Sequence, residues 1–297
     1  MDVDLARTML AVADLRSFSA AGRELSVVQS AVTTRIRSLE RLVGARLFDR
    51  SPQQVRLTEQ GERLLVHARA LVDAEDRMLG ALRPEDDLAG RVRIAAAESM
   101  CAYRLPRLVA LLMREHPGLE VEFFAAEGEE AIGHLLGRRS ELALVLDPDD
   151  LDPRVEVAPI GQERVLLVVG PEGPAPARLE ELAEIPLFLL QEGCSYSDGL
   201  LRTLAAQRVT PPRVTRFSSL EAVKACVGAG LGVGLLPEAS LRPTDPVRPL
   251  AVPVAPTTVT LAREGARYAT ASTRHVAHVL ASTWGGADVS RAVGGKV

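Results

Sequence analysis

Apolar positions along the chain follow two rhythms. Up to about residue 80 they recur every three to four residues, the period of a helix; beyond Arg91 short apolar runs alternate with helical stretches. Leu5, Met9, Leu10 and Ala13 share one face of a helix over Leu5–Ala13. Ala20, Ala21 and Leu25 share one face of a second helix, which Ser17 or Ser19 can cap. Ser26 is placed to cap a third, from about Val27 to Leu42, with Val28, Val32, Ile36 and Leu39 facing inward. Its other face carries Gln29, Ser30, Thr33, Thr34, Arg37 and Arg41. Two short helices joined by a tight turn, the second polar on its outer face, make a helix-turn-helix. Leu47–Arg50 and Val55–Leu57 then flank Ser51–Gln54, which predicts a small hairpin, or wing, bearing Arg50 and Arg56. Thr58 caps a long helix with Glu59 in its first turn. The stripe Leu64, Ala68, Leu71, Met78 and Leu82 fits a two-helix coiled coil that Glu75 interrupts. Pro84 and Glu85-Asp86-Asp87 close that helix and open a linker.

From Arg91 onward the expected strands are Val92–Ala96, Val121–Ala125, Leu142–Leu146, Arg164–Val169, Pro186–Leu190, Arg213–Phe217, Gly232–Leu236 and Val259–Ala262. Helices are expected over Leu105–Glu115, Glu129–Leu136, Ser197–Gln207, Leu220–Ala229 and Ser272–Ala281. Strands alternating with helices imply an α/β fold with largely parallel sheets. Gly161 and Ala255-Pro256 are the expected crossings between two sub-domains, and Gly285–Val297 reads as a frayed tail.

Composition narrows the class. A chain of 297 residues points to more than one domain, and 47% hydrophobic residues with only 3% aromatics require aliphatic cores. No apolar run is long enough for a membrane span, and Met1-Asp2-Val3-Asp4 lacks the basic start of a signal peptide, so a cytoplasmic protein is expected. Three widely spaced cysteines, Cys101, Cys194 and Cys226, argue for reduced thiols. The net charge of −4 hides a local excess: between Arg16 and Arg69 ten arginines face five acids. That basic segment coincides with the helix-turn-helix, as phosphate contacts require.

These residues carry a resemblance. Ser17-Phe18-Ser19-Ala20-Ala21, Leu25 to Thr33, Ile36-Arg37-Ser38-Leu39-Glu40, Leu47-Phe48-Asp49-Arg50 and Leu57-Thr58-Glu59-Gln60-Gly61 closely resemble the N-terminal domain of LysR-type transcriptional regulators. Tyr103-Arg104-Leu105-Pro106, Gly193-Cys194-Ser195-Tyr196 and Gly228–Pro237 resemble the family's two-lobed, periplasmic-binding-protein-like sensor. The resemblance implies a winged helix-turn-helix over 1–57, a linker and dimerisation helix over 58–89, and an α/β effector domain over 90–297. Lobe I would span about 90–161 and 258–285, and lobe II about 162–257. It implies a homodimer or homotetramer assembled through the linker helix and effector domain. Its partners would be double-stranded DNA, a small-molecule effector of polar or anionic character and, for an activator, RNA polymerase. No cofactor and no enzymatic activity are implied. Ser30 stands where many members carry Pro, and the wing tip Pro52-Gln53-Gln54 lacks the basic or glycine residues often found there.

Gln29, Ser30, Thr33 and Thr34 are the candidates for base contact, since Gln can bond an adenine edge twice and Thr can offer a methyl to thymine. Arg35, Arg37, Arg50 and Arg56 are the candidates for phosphate. In the sensor, Ser99, Met100 and Cys101 follow the first strand, and Cys194, Ser195 and Tyr196 form the corresponding turn of the second lobe. Ser218 and Ser219 open a third helix. Such helix starts suit an anion, and the serines equally suit plain caps. A thiol switch between Cys101 and Cys194 would need a lowered pKa, for which only Arg104 lies near. Gly228–Gly234 fails the dinucleotide spacing, and His275 and His278 lack a further ligand nearby. Neither a P-loop nor a nucleophile elbow is present. A transport-type solute-binding protein fits the two lobes but not the helix-turn-helix, and an enzyme would need a catalytic set that the residues do not supply.

Overall fold

A computed structural model describes residues 2–51, 54–80, 88–148, 151–265 and 270–284. Pro52 and Gln53 of the wing tip, Leu82, Pro84 and the acidic linker, and the Gly285–Val297 tail lie outside the described residues, as does the side chain of Arg50. The chain divides into two compact units, residues 1–88 with 137–139, and the remainder.

The first unit begins with α1 (Val3–Leu15), whose cap Asp2 accepts from the Asp4 amide. α2 (Phe18–Glu24) is capped by Ser17, which accepts from the Ala20 amide at 3.2 Å. The turn that follows corrects the expected cap of the third helix. Ser26 sits at φ 55°, in the left-handed region, and the Val27 amide donates to Gly22 O, so α3 starts later, at Gln29–Val43. Its N-cap is Val28, which makes no side-chain cap bond and is 69% exposed rather than inward. Val32, Ile36 and Leu39 are buried as expected, against Met9, Val12, Ala21 and Phe48. A cap residue precedes the helical repeat, so Val28 drops off the buried stripe that its spacing seemed to extend.

β1 (Phe48–Ser51) and β2 (Gln54–Leu57) pair antiparallel, Phe48 opposite Leu57 and Asp49 opposite Arg56. α4 (Glu59–Gly80) follows. Part of its apolar stripe is used within the unit itself. Leu64, Ala68 and Leu71 pack into the head's own core, and Glu75 sits where it receives Arg7 at 3.0 Å. The apparent flaw in a coiled-coil seam is an ion pair to α1. Val66, Met78 and Leu79 are large apolar side chains that α4 leaves exposed.

The second unit holds β3 (Gly90–Ala96), α5 (Glu98–Tyr103), α6 (Leu105–Glu115), β4 (Leu119–Ala125), α7 (Gly128–Leu136), β5 (Leu142–Leu146) and β6 (Val155–Glu163). Then come β7 (Val165–Val169), β8 (Leu187–Leu190), α8 (Ser195–Ala206), β9 (Val214–Phe217), α9 (Leu220–Gly228) and β10 (Val233–Pro237). β11 (Arg248–Pro249), β12 (Thr257–Glu264) and α10 (Ala271–Thr283) complete it. Two five-stranded sheets result, ordered β4-β3-β5-β12-β6 and β11-β7-β10-β8-β9. Both are mixed rather than largely parallel: β12 runs antiparallel to β5 and β6, and β7 to β10 and β11. The physical reason is connectivity. β6 passes straight into β7 and β11 leads to β12, so strands that cross between sheets enter against the βαβ direction. Each lobe is therefore one sheet with its helices.

β6 was not expected, because Pro159 and Gly161 break its pattern; it lies on a sheet edge, where Pro is tolerated. The first crossing falls at Arg164, beyond Gly161. A Cβ on Gly161 would come within 2.8 Å of the Trp284 ring, so this glycine makes room for packing. Ala255-Pro256 do lie in the second crossing.

Two glycines make contrasting predictions. A Cβ on Gly61 would be driven into the Leu47 carbonyl oxygen, whereas one on exposed Gly133 meets open space within α7. Gly61→Ala should destabilise the head by about 1–3 kcal/mol, and Gly133→Ala should stabilise the second unit by about 0.5–1 kcal/mol. Urea melts followed separately in the two units check both signs.

Candidate nucleic-acid interface and effector cleft

α3 exposes Gln29, Ser30, Thr34 and Arg37, while Thr33 is half-buried. Gln29 is held at its carbonyl end: Ser19 of α2 donates to Oε1 at 2.8 Å, which leaves the amide nitrogen to a partner. Thr33 donates its hydroxyl to Gln29 O at 3.1 Å and Thr34 to Ser30 O at 2.9 Å. Both threonines thereby keep their oxygens as acceptors and their methyl groups as apolar contacts. Arg56 on β2 is exposed, and its Nε donates to Gln54 at 2.7 Å. Arg35 differs from the other arginines named for phosphate. It is half-buried and turned to α1, 3.5 Å from Asp4 and 3.5 Å from the Thr8 hydroxyl. Arg50 lies in β1, opposite Val55.

In the second unit, the turns after the parallel strands meet between the two sheets. This is where a doubly wound fold places its ligands, outside the carboxyl ends of the strands. Ser99 on α5 and Tyr196 on α8 approach oxygen to oxygen at 3.5 Å. Ser195 donates to Leu146 O, at the end of β5, at 3.2 Å. Met100 and Cys194 are buried beside them in the core that spans both lobes. Cys101 stays within its own lobe, with its thiol donating to Ala96 O at 3.6 Å. Ser218 and Ser219 are exposed and join none of these contacts; Ser219 is the N-cap of α9 without a side-chain bond.

Several residues of the site were missed by sequence reasoning. Glu127 ends the turn between β4 and α7, lies near the Cys194 thiol, and keeps a solvent-sealed Oε2 with no partner among the described residues. Its position matches that of Cys194, the last residue before a helix at a strand's carboxyl end. Arg104 forks onto Glu163 at 2.9 and 3.1 Å, and Glu163 is buried at the end of β6, one residue before the crossing. Tyr103 donates to Glu221 of α9 at 3.1 Å, with the Lys224 ammonium 5.7 Å from its ring centre.

Burial dominates the ionisation of this cleft. It pushes Glu127 above the usual carboxylate range, aided by the charges of Asp198 and Glu98 and opposed by the Cys194 thiol. Burial and Glu127 push Cys194 up to about 12, and burial and Glu98 push Cys101 up to about 11. The Tyr196 phenol is raised as well, first by burial. Thiolates are therefore strongly disfavoured at both cysteines. No group of three His, Cys, Asp or Glu among the described residues is arranged to hold a metal, and His275 instead meets the His116 ring edge-on at 4.9 Å.

The family comparisons coincide with these two regions. Residues 3–62 match the model of the bacterial regulatory helix-turn-helix protein, lysR family, and residues 85–285 match the LysR substrate binding domain. The chain belongs to the LysR family of transcriptional regulators. Like its family, it combines a helix-turn-helix DNA-binding domain with an effector-binding domain, and it is not an enzyme. YwqM of Bacillus subtilis, named as an uncharacterized HTH-type transcriptional regulator, is 30% identical over 240 residues, 79% of this chain and 82% of that protein. A Mycobacterium avium protein named "Probable hydrogen peroxide-inducible genes activator" is 32% identical over 241 residues, covering 79% and 77%. Among solved structures, a full-length OxyR cysteine variant from Pseudomonas aeruginosa shares the fold at TM-score 0.74 and 23% identity, covering 98% of this chain and 97% of that one. CbnR in complex with its target DNA does so at TM-score 0.66 and 20% identity, covering 93% and 97%. No helix among the described residues is long and apolar enough to cross a membrane.

The environment of both thiols in this LysR-family chain favours the protonated form. With Cys101 at about 11 and Cys194 at about 12, at most about one thiol in ten thousand is ionised at neutral pH. Alkylation of the native protein by iodoacetamide should be slow at pH 7 and still rising at pH 9.5. A rate that levels off below pH 8 at either residue would refute this picture.

Proposed function

We propose that α3 reads the major groove through Gln29, Ser30, Thr33 and Thr34, and that Arg37, Arg50 and Arg56 neutralise phosphates beside it. The observation that carries this reading is the orientation of Gln29. A glutamine whose carbonyl is held by Ser19 presents its NH₂ group in a fixed direction. Arg35 belongs to the head's internal ion pairing and is left out of the phosphate set. Val28, exposed at the start of α3, adds an apolar side chain suited to a thymine methyl. In the same reading the head spans 1–57, the linker helix 58–89 and the effector domain the rest, with lobes changing at Arg164 and between Pro249 and Thr257. The chain acts as a homodimer or homotetramer in the cytoplasm, and the exposed Val66, Met78 and Leu79 of α4 supply an apolar surface for pairing.

The effector seat is the junction of Ser99, Glu127, Cys194, Ser195 and Tyr196. Its chemistry disfavours the anion first expected. Arg104 is already forked onto Glu163 and Arg216 is paired with Asp198 at 2.9 Å, so these two cations are neutralised. Glu127, with an unsatisfied buried oxygen, wants a donor. An effector bearing N–H groups or a cationic nitrogen fits, and its binding shifts the balance between lobe arrangements and thereby the spacing of DNA-reading heads.

Footprinting on the DNA upstream of its own gene tests the first part. Gln29→Ala should cost about 1–3 kcal/mol at the affected base pair and relax preference there, while Arg37→Ala should weaken all sequences alike. Equal loss on all sequences with Gln29→Ala would overturn the base-reading role. Thermal-shift screening of amines against matched carboxylates tests the second part: stabilisation confined to amines, and abolished by Glu127→Gln, is expected. Stabilisation by carboxylates alone would overturn it.

A further inference from the structure

A hollow of about 610 Å³ opens on the first unit, where Thr34, Arg37 and Arg41 of α3 face Gly44, Ala45 and Arg46 of the turn toward the wing. Thr34 and Arg37 belong to the exposed face already assigned to DNA, so the hollow continues that face toward the helix C-terminus. Its charge is strongly basic. Neither Arg37 nor Arg46 has a side-chain partner among the described residues, and Arg41 bonds only to Arg37 O at 3.4 Å and the Ser38 hydroxyl at 3.1 Å. The one acid on its wall, Glu40, accepts from the Leu47 amide at 3.0 Å. Three guanidinium groups line one hollow, none paired with a carboxylate among the described residues, and an anion bound there relieves their mutual repulsion.

Length decides which anion. From Gln29 to Arg41 the helix rises about 18 Å at 1.5 Å per residue, whereas the major groove is about 12 Å wide. An α3 that crosses the groove with its N-terminal turn on base edges carries its last turns beyond the groove to the flanking strand. We infer that Arg41 and Arg46 form a phosphate clamp that holds the DNA backbone at the far rim of the major groove. The inference rests on the DNA-reading role of α3 and adds to it a sequence-independent anchor. Gly44, at φ 71°, closes the helix and brings Arg46 back beside Arg41. The Arg46 carbonyl receives the Thr58 hydroxyl at 2.7 Å, which fixes the backbone from which that guanidinium projects.

Salt dependence separates a clamp from base readout. The full chain is titrated by fluorescence anisotropy onto a 30-base-pair duplex of mixed sequence between roughly 50 and 200 mM salt, the range over which counterion release shows. Each lost phosphate contact should reduce the slope of log affinity against log salt by about 0.9. Arg41→Ala and Arg46→Ala should each do so, and the pair together by about twice as much, with Arg46→Lys close to the parent. The melting temperatures should stay near the parent value, because both side chains are exposed. Slopes unchanged in both alanine variants would overturn the clamp while leaving DNA binding intact. A parent chain that binds no duplex at any salt would overturn the DNA reading itself.

Discussion

The head depends on a small node of hydrogen bonds around Thr58. Its amide donates to Leu47 O, its hydroxyl donates to Arg46 O, and the same oxygen accepts from the Gly61 amide. One residue thus caps α4 and pins the turn that ends α3. Gly61 is part of the same constraint, since any side chain there would push Leu47 away. A reading helix is useful only if its end is held as firmly as its start, because a small rotation moves side chains from one base pair to the next. Here the start is held by the Ser19–Gln29 bond and the end by Thr58. Between them Val32, Ile36 and Leu39 are anchored in the core.

In the effector domain the corresponding constraint is connectivity. Two chain crossings join two sheets, and the residues on which the lobes bear lie at those crossings or at the nearby strand ends. Glu163, buried and gripped by Arg104, sits one residue before the first crossing. Glu127 and Cys194 each follow a strand and precede a helix, and Ser99 stands in the first turn of α5. Contacts such as Ser99–Tyr196 and Ser195–Leu146 O are single, long hydrogen bonds, each of modest net value. Polar contacts this weak, beside the apolar core that runs through both lobes, can be reset by a ligand of ordinary affinity while that core keeps the lobes together.

Much of this was legible in the sequence, and the failures have causes. Val32, Ile36 and Leu39 of the α3 stripe, a serine cap for α2 at Ser17 or Ser19, the Thr58 cap and most strands follow from periodicity and cap chemistry, because those signals are local. The start of α3 was misread by the same logic: Ser26 is a good cap by composition, but a left-handed φ in the turn takes it out of the cap position. β6 stayed hidden because an edge strand can carry Pro159 and an irregular pattern. The mixed sheets were invisible because strand direction depends on crossings, which leave no periodic trace. Glu127 was missed because a lone glutamate before a glycine looks like any helix start; only the second lobe, brought up by the fold, makes it a half-buried carboxylate with one sealed oxygen beside a thiol.

The arginines show why a charge count locates a DNA-binding segment but cannot assign its contacts. Ten arginines fall between Arg16 and Arg69, yet the fold sorts them by what surrounds them. Arg69 is buried against Asp14 at 2.6 Å and Arg35 is drawn to Asp4, so the acids of α1 neutralise the inner side of the head. Arg37 and Arg46 have no carboxylate among the described residues. A paired arginine neutralises little phosphate charge and so displaces few of the cations condensed on DNA. An uncompensated one neutralises a phosphate, releases the cations condensed there and contributes its full share to the salt dependence. The acids of α1 therefore concentrate the head's effective charge on the outer face of α3 and the turn beyond it, and a chain with net charge −4 can approach DNA with that face leading.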